Sequence, residues 1–215
     1  FDWYDAMINK GNFSQKHTVN LQANSKKASI YATFQYNDME GIAIEDARED
    51  IAGRVNANFK ALEGWLDIAV KADYRRAMRN NNNPNFAQAI RNNPTRSAYD
   101  ENSNTGYNIW LYEDLQFNTI AAVKLYDYYG LDQWLKPEVS AKLNILPVQG
   151  LSYTQTMGYE LRQWENQTYR WSTHQDEVSV NRNGTAYQGF SKTENINAEG
   201  YFNYMNSFDK HNINA

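Results

Sequence analysis

The side chains best suited to bind a metal ion are three histidines and one group of acids. His17, His174 and His211 lie far apart, without a second histidine or a glutamate at ligand spacing, so they do not predict a zinc site. The acids fall within one polar stretch and are Glu40, Glu45, Asp46, Glu49 and Asp50. Carboxylates bind Ca²⁺, but a dedicated calcium loop places its ligands at alternate positions around a glycine. This group lacks that order, and we expect a solvated loop without metal or cofactor.

The residue types of the chain do not suit catalysis. Neighbouring carboxylates such as Glu113 and Asp114 have no histidine or serine positioned as a partner for acid–base or nucleophilic chemistry. The chain has no cysteine, and its net charge of −4 is dispersed without a basic patch. We therefore expect neither an enzyme nor a protein that binds nucleic acid.

Aromatic side chains in the long polar stretches are the best candidates for contact with a ligand or a partner. They are Trp110, Tyr112, Trp164, Tyr169 and Trp171. Rings on loops stack on sugars or fill a pocket of a partner, although packing within the loops is the favoured explanation for any one of them. The chain has 16 Tyr against 9 Phe and 6 Trp, and such amphipathic rings suit membrane interfaces as well as sugar-binding surfaces.

Two further sets of residues are expected near a membrane surface. Trp65 and Trp134 are predicted at the short-turn ends of strands, where membrane β-proteins carry an aromatic girdle. Arg75, Arg76 and Arg79 are predicted where the fourth strand leaves the membrane. They suit lipid phosphates, the mouth of a lumen, or simply the boundary with water.

These residues lie among stretches that alternate apolar and polar side chains. Because side chains in a strand change face at every residue, such stretches predict strands with one apolar face. The predicted strands are 16–24, 28–37, 51–61, 66–75, 135–145, 151–162 and 196–205, with another beginning at 212–215. Residues 118–126 are left open as an additional strand. Apolar stripes at helical spacing are absent from these windows.

The connections between these strands are alternately short and long. The short ones, rich in turn-forming residues, are 24–27, 62–65, 146–150 and 206–210, and the long polar ones are 38–50, 80 to about 134 and 163 to about 187. Sorting of turns to one side and loops to the other is typical of outer-membrane barrels. The sequence contains no run of 18 apolar residues and therefore predicts no transmembrane helix. A barrel strand needs only about 9–11 residues.

We therefore predict an all-β fold, an antiparallel meander that forms part of a transmembrane β-barrel wall. The lipid-facing side is predicted to include Val55, Phe59, Val70 and Leu143. The lumen-facing side is predicted to include Asn56, Asn58, Lys71, Asp73 and Lys142.

Several stretches resemble the SusC/RagA-type TonB-dependent transporters of the Gram-negative outer membrane. They are Asp2-Trp3-Tyr4-Asp5-Ala6 and residues 17–21, 31–42, 54–58 leading to Trp65, 142–153 and 209–215. The resemblance implies a barrel of about 22 strands with an N-terminal plug, of which residues 1–215 are a single segment, without the plug and the remaining strands. It also implies a SusD-like surface lipoprotein as a lid, TonB acting through the missing N-terminal region, outer-membrane lipid around the wall, and import of oligosaccharides or oligopeptides.

Two alternatives remain open at this stage. A soluble carbohydrate-binding or adhesin-like β-sandwich would bury the apolar faces of two sheets against each other. A smaller passive barrel such as a porin would show the same alternation but have no plug.

Overall fold

A computed structural model describes residues 1–82, 84–110, 116–208 and 211–215 of the chain. Tyr112, Glu113 and Asp114 lie outside the described residues. Eight antiparallel strands form one sheet in chain order. They are β1 (Gln15–Asn24), β2 (Ala28–Glu40), β3 (Asp46–Ala61), β4 (Leu66–Asn81), β5 (Tyr126–Asn144), β6 (Leu151–Arg170), β7 (Thr185–Phe208) and β8 (His211–Asn214). The predicted all-β antiparallel meander is confirmed.

Most strands extend beyond the predicted bounds on the side away from the short turns, and β7 also extends over 206–208, which were predicted as turn. Residues 38–40 and 46–50, predicted as loop, belong to β2 and β3, which leaves only 41–45 as their connection. The reason is that alternation stops where both faces become polar, whereas the backbone hydrogen bonds continue. At about 3.4 Å per residue, the 20 residues of β6 extend about 65 Å, compared with an apolar band of about 25 Å in membrane barrels.

The short turns all lie at one end of the sheet, as predicted. The turn between β3 and β4 is a 3₁₀ helix, Leu62–Gly64, with Glu63 and Gly64 at φ of 55° and 97°. The turn between β5 and β6 ends at Gly150, with φ of 85°. The connections 82–125 and 171–184 lie at the opposite end, which we call the outer end.

Among the described residues, four short helices pack at the outer end: α1 (Trp3–Ala6), α2 (Phe86–Arg91), α3 (Thr119–Lys124) and α4 (Gln175–Ser179). The stretch 118–126, left open as an additional strand, is therefore mostly helix. The Asn118 side chain accepts hydrogen bonds from the backbone N–H groups of Ile120 and Ala121 at 3.1 and 3.0 Å, which starts α3. In the described part of the chain, no helix is long and apolar enough to span a membrane.

The hydrophobic core lies among these helices and not on the sheet. We call it the loop core, and it consists of Trp3, Met7, Ala89, Ala98, Trp110, Ile120 and Val123. It joins the N-terminal segment to the connection between β4 and β5. None of these seven residues belongs to a strand, so neither face of the sheet contributes to the loop core.

Candidate functional site

The apolar side chains of successive strands form one continuous face. In the sheet register Ala32 lies opposite Val55, Val55 opposite Ala72, and Val70 opposite Val139. Exposed members of this apolar face are Val19, Leu21, Ile30, Phe34, Val55, Phe59, Val139, Leu143, Met157, Ile196 and Phe202. Val55 is 41% exposed and Ile196 is 81% exposed. Because burying one such side chain is worth about 1.5–3 kcal/mol, an uncovered face of this size indicates contact with lipid or another protein.

The opposite face carries the residues predicted to line a lumen. Asn56 lies opposite Lys71, Arg54 opposite Asp73, and Asp67 opposite Lys142. Ion pairs join neighbouring strands here, between Arg54 and Asp73 and between Lys71 and Glu138, the latter with an N–O distance of 3.0 Å. Opposite charges directly across two strands stabilise their pairing. We call this surface the polar face.

A band of charges crosses the outer half of the polar face. The buried carboxylate of Asp50 lies 2.9 Å from Arg48 Nε and 3.6 Å from Arg75 Nη2. On the next strands Arg162 Nη2 lies 3.7 Å from Asp132 Oδ2, and Trp134 Nε1 donates to Glu160 Oε1 at 2.9 Å. Charges of both signs thus alternate over this surface, which suits hydrogen bonding to a polar ligand.

The two aromatic residues predicted at the short-turn end differ in position. Trp65 follows the 3₁₀ helix, at the predicted end, and is partly exposed. Trp134 lies in the middle of β5 on the polar face, opposite Arg75 and Arg162, so its predicted position is wrong. The predicted bounds already opposed this placement, because a strand over 135–145 with its short turn at 146–150 has Trp134 next to the long connection.

The predicted aromatic contact residues do not form one site. Trp110 is 8% exposed and packs edge-to-face on Trp3 at 5.6 Å between ring centroids, which fits internal packing. Trp164 and Tyr169 belong to β6 and not to a loop, and they lie on opposite faces. Tyr169 and Trp171 contact edge-to-face at 5.7 Å, and Trp171 Nε1 donates to Asp127 Oδ2 at 3.0 Å. Tyr112 lies outside the described residues.

The three arginines of β4 divide between the two faces. Arg75 and Arg79 lie on the polar face, where Arg75 reaches Asp50. Arg76 lies opposite Ile51 on the apolar face, and its Nη2 donates to Met78 Sδ at 2.9 Å. The structure thus separates Arg76 from Arg75 and Arg79, and the predicted roles of the three residues stay predictions.

The acidic group is distributed over two strands and does not form a loop. Only Glu45 lies in the connection, where it pairs with Lys124. Asp46 accepts from Asn81 Nδ2 at 3.2 Å, and Glu49 accepts from Tyr36 Oη at 3.2 Å. Glu40 ends β2. Within the described ranges, no three His, Asp or Glu residues are arranged to hold a metal.

The structure has a polar pocket at the outer end that the sequence did not indicate. It has a volume of about 300 Å³ and lies between α3, α4 and the outer ends of β4, β5 and β6. His174, in its wall, is buried, and its burial, together with nearby Arg170, holds its pKa below the usual value despite the carboxylates of Asp176 and Glu177. The other two histidines lie elsewhere: His17 is exposed on β1 beside Tyr36, and His211 begins β8.

The carboxylate of Glu177, fully buried next to this pocket, fastens α4 to β7. It lies 3.0 Å from Arg182 Nε and accepts from Thr185 Oγ1 at 2.8 Å. Acidic residues at the start of a helix are a recognisable signal for α4. Nothing in the sequence distinguished Glu177 from its partly buried neighbour Asp176.

Comparison with known proteins shows similarity in structure but not in sequence. No protein-family model matches the chain, and no curated protein sequence matches it. Among solved structures, the chain is similar to the RagAB peptide importer in the open-open state and the closed-closed state, with TM-scores of 0.74 and 0.69. It is also similar to the RagAB peptide transporter, with a TM-score of 0.62. Each match has 17% identity and covers 97% of this chain but 24% of the matched chain, so the chain has the fold of about a quarter of a much larger transporter chain.

Proposed function

We propose that the chain is part of the barrel wall of an outer-membrane active transporter of the SusC/RagA type. The observation that carries this proposal is the uncovered apolar face, continuous over β1 to β7 and exposed at Val55, Leu143 and Ile196. Lipid covers this face, because hydrocarbon is the environment in which such side chains are stable without a second protein layer. The polar face lines the lumen.

A β-sandwich is a poorer explanation of the same surface. A sandwich packs the apolar faces of two sheets together at about 10 Å, whereas the described strands form a single sheet in chain order. An intact gene product that stays monomeric in solution without detergent would favour the sandwich. A porin would be distinguished by the absence of a plug and TonB box upstream of this segment.

The cargo is an oligopeptide or an oligosaccharide, and uptake requires TonB and a SusD-like lipoprotein. The RagAB structures, named as a peptide importer, support the peptide class. The band of paired arginines and carboxylates on the polar face suits a cargo with both charges. Trp164, Tyr169 and Trp171 are candidates for contact with cargo or lid, and Trp65 for the membrane interface.

The assignment of the faces is tested by placing an arginine at two adjacent positions of the intact protein. Val55→Arg should cost about 2–4 kcal/mol near the bilayer midplane, whereas Asn56→Arg on the polar face should be mild. Urea unfolding from phospholipid vesicles measures both. Equal costs would contradict the proposed faces, and peptide uptake that persists in cells without TonB would contradict active transport.

A further inference from the structure

The apolar face has a groove over Gly53, between two large rings. Phe34 and Tyr74 lie directly opposite Gly53 on the two neighbouring strands, and they are 50% and 40% exposed. Both line the groove, which has a volume of about 350 Å³. A Cβ atom added at Gly53 would meet nothing closer than the Thr33 carbonyl oxygen, at 4.0 Å. The space over Gly53 is therefore open, and we call it the Gly53 groove.

The lining of the Gly53 groove suits hydrocarbon. On the apolar face, Ala32, Val55 and Ala72 continue it toward the short turns, and Leu135 lies opposite Tyr74. These side chains offer almost no hydrogen-bonding groups, so a polar ligand would lose its bonds to water without replacement. The groove therefore suits a flexible apolar chain.

A single cation lies beside the outer end of this groove. Arg76 is the residue of β4 that follows Tyr74 on the apolar face, and it is partly buried. Within the described ranges its guanidinium forms no ion pair, and its hydrogen bond goes to Met78 Sδ at 2.9 Å, a weak acceptor. Glu49, an acid on the same face, accepts instead from Tyr36 Oη. This arrangement indicates an anionic partner from outside the chain.

The position of Arg76 along β4 matches the outer boundary of the membrane hydrocarbon. Leu66 begins β4 at the short-turn end, and Arg76 lies ten residues farther along (76 − 66), a distance of about 34 Å at about 3.4 Å per residue. At a strand tilt of about 40° this corresponds to about 26 Å across the membrane, compared with about 25 Å for the apolar band of membrane barrels. The Gly53 groove thus lies within the hydrocarbon, and Arg76 lies at the level of the outer headgroups.

We propose that the Gly53 groove and Arg76 together bind one molecule of lipid A, the phosphorylated and acylated lipid of the outer leaflet, an inference that rests on the proposed function. An acyl chain lies over Gly53 between Phe34 and Tyr74, and the guanidinium of Arg76 donates to a phosphate oxygen. The order of the two parts along β4 matches a lipid whose headgroup points outward. A lipid of the inner leaflet would have its headgroup at the opposite end, and a free phosphate ion would leave the groove empty.

The experiment uses the intact transporter purified in detergent, with lipid A, dephosphorylated lipid A and phosphatidylcholine as probes. Native mass spectrometry measures lipid binding to the wild type, to Arg76→Leu, which removes the cation, and to Gly53→Leu, which fills the groove. Arg79→Leu is the matched control for the cation, since Arg79 lies on the polar face of the same strand. Ala198→Leu is the control for the groove, since it adds a leucine to the apolar face of β7.

We expect lipid A to bind the wild type and both controls equally. Arg76→Leu should weaken binding about tenfold, because it removes a hydrogen bond to a charged group. Gly53→Leu should weaken it about threefold to tenfold, because the leucine takes the place of the acyl chain and removes its van der Waals contacts. Unchanged affinity in either variant, an equal loss in Arg79→Leu, or equally tight binding of dephosphorylated lipid A would overturn the proposal.

The proposed function is tested separately from this site. Phosphatidylcholine carries a cation next to its own phosphate, so vesicles of this lipid alone lack the anionic partner, and unfolding of Val55→Arg and Asn56→Arg from them tests only the faces. If those two variants confirm the faces and the wild type does not bind lipid A, the lipid site alone is refuted. If the wild type is absent from the outer membrane in cell fractionation, the proposed function is refuted as well.

Discussion

His174 Nδ1 accepts a hydrogen bond from the backbone N–H of Asp176 at 3.1 Å and so caps α4. The same ring lies against α3, close enough for the backbone of Ala122 to act on its pKa. One buried imidazole thus joins the connection 171–184 to the connection 82–125 at the outer end. It can do so only in the neutral form, since a protonated Nδ1 is a donor and has no lone pair for the N–H of Asp176.

The first prediction is that the outer end loses stability as the pH falls. Burial, the largest cause, and Arg170 lower the pKa of His174 below its usual 6.5, and Asp176 and Glu177 only partly oppose this. The unfolded segment binds a proton near pH 6.5, whereas the folded segment does so only at lower pH, so the stability is complete above about 6.5 and decreases below it. Hydrogen exchange of 171–184 should be faster at pH 5 than at pH 7.5. His174→Asn should remove this dependence, whereas His17→Asn on β1 should preserve it.

The second prediction concerns the buried carboxylate of Glu177. Glu177→Ala leaves Arg182 and Thr185 without their acceptor. Breaking a buried ion pair costs about 3–5 kcal/mol, and we expect the lower end because the Arg182 side chain is half in water. Limited proteolysis within 171–184 should become faster, while the strands stay intact. Glu199→Ala, at an exposed position of β7, should have no effect, and a similar effect of both variants would refute the role of Glu177.

A third prediction distinguishes two glycines in the short turns. Gly64 and Gly150 have φ of 97° and 85°, so alanine is strained at both positions by about 1–2 kcal/mol. At Gly64 the added methyl group meets open space, whereas at Gly150 it would collide with the Met205 carbonyl oxygen. Gly150→Ala should therefore lower the urea midpoint clearly more than Gly64→Ala. Equal midpoints would show that β7 does not approach this turn.

The two-residue alternation predicted the faces of the strands because it is a property of single residues in an extended chain. Val55 and Asn56 follow each other in the sequence and lie on opposite faces. The same signal failed before Trp134, where residues 126–134 do not alternate although β5 continues through them. Sequence periodicity therefore indicates where a strand is amphipathic, not where it ends.

The pocket was not predictable because it depends on contact between two separate connections. Thr119 and Gln175 are ordinary polar residues in sequence, and their burial results from the packing of α3 and α4 over the outer ends of the strands. The apolar spacing of Ile120 and Val123 suits one helical turn, but it is too short to distinguish a helix from a strand. The helix is selected by tertiary contacts with Trp3 and Met7 in the loop core.

The last prediction compares two adjacent arginines of β4. Arg75→Leu leaves the buried Asp50 carboxylate with Arg48 as its remaining cation, and we expect a loss of about 1–3 kcal/mol, the cost of an under-satisfied charged acceptor. Arg76→Leu removes a cation from the apolar face, opposite Ile51, and should be neutral or stabilising because leucine suits lipid better. Urea unfolding from vesicles measures both variants against the wild type. A larger loss for Arg76→Leu would exchange the two faces and contradict the lumen assignment of the charged band.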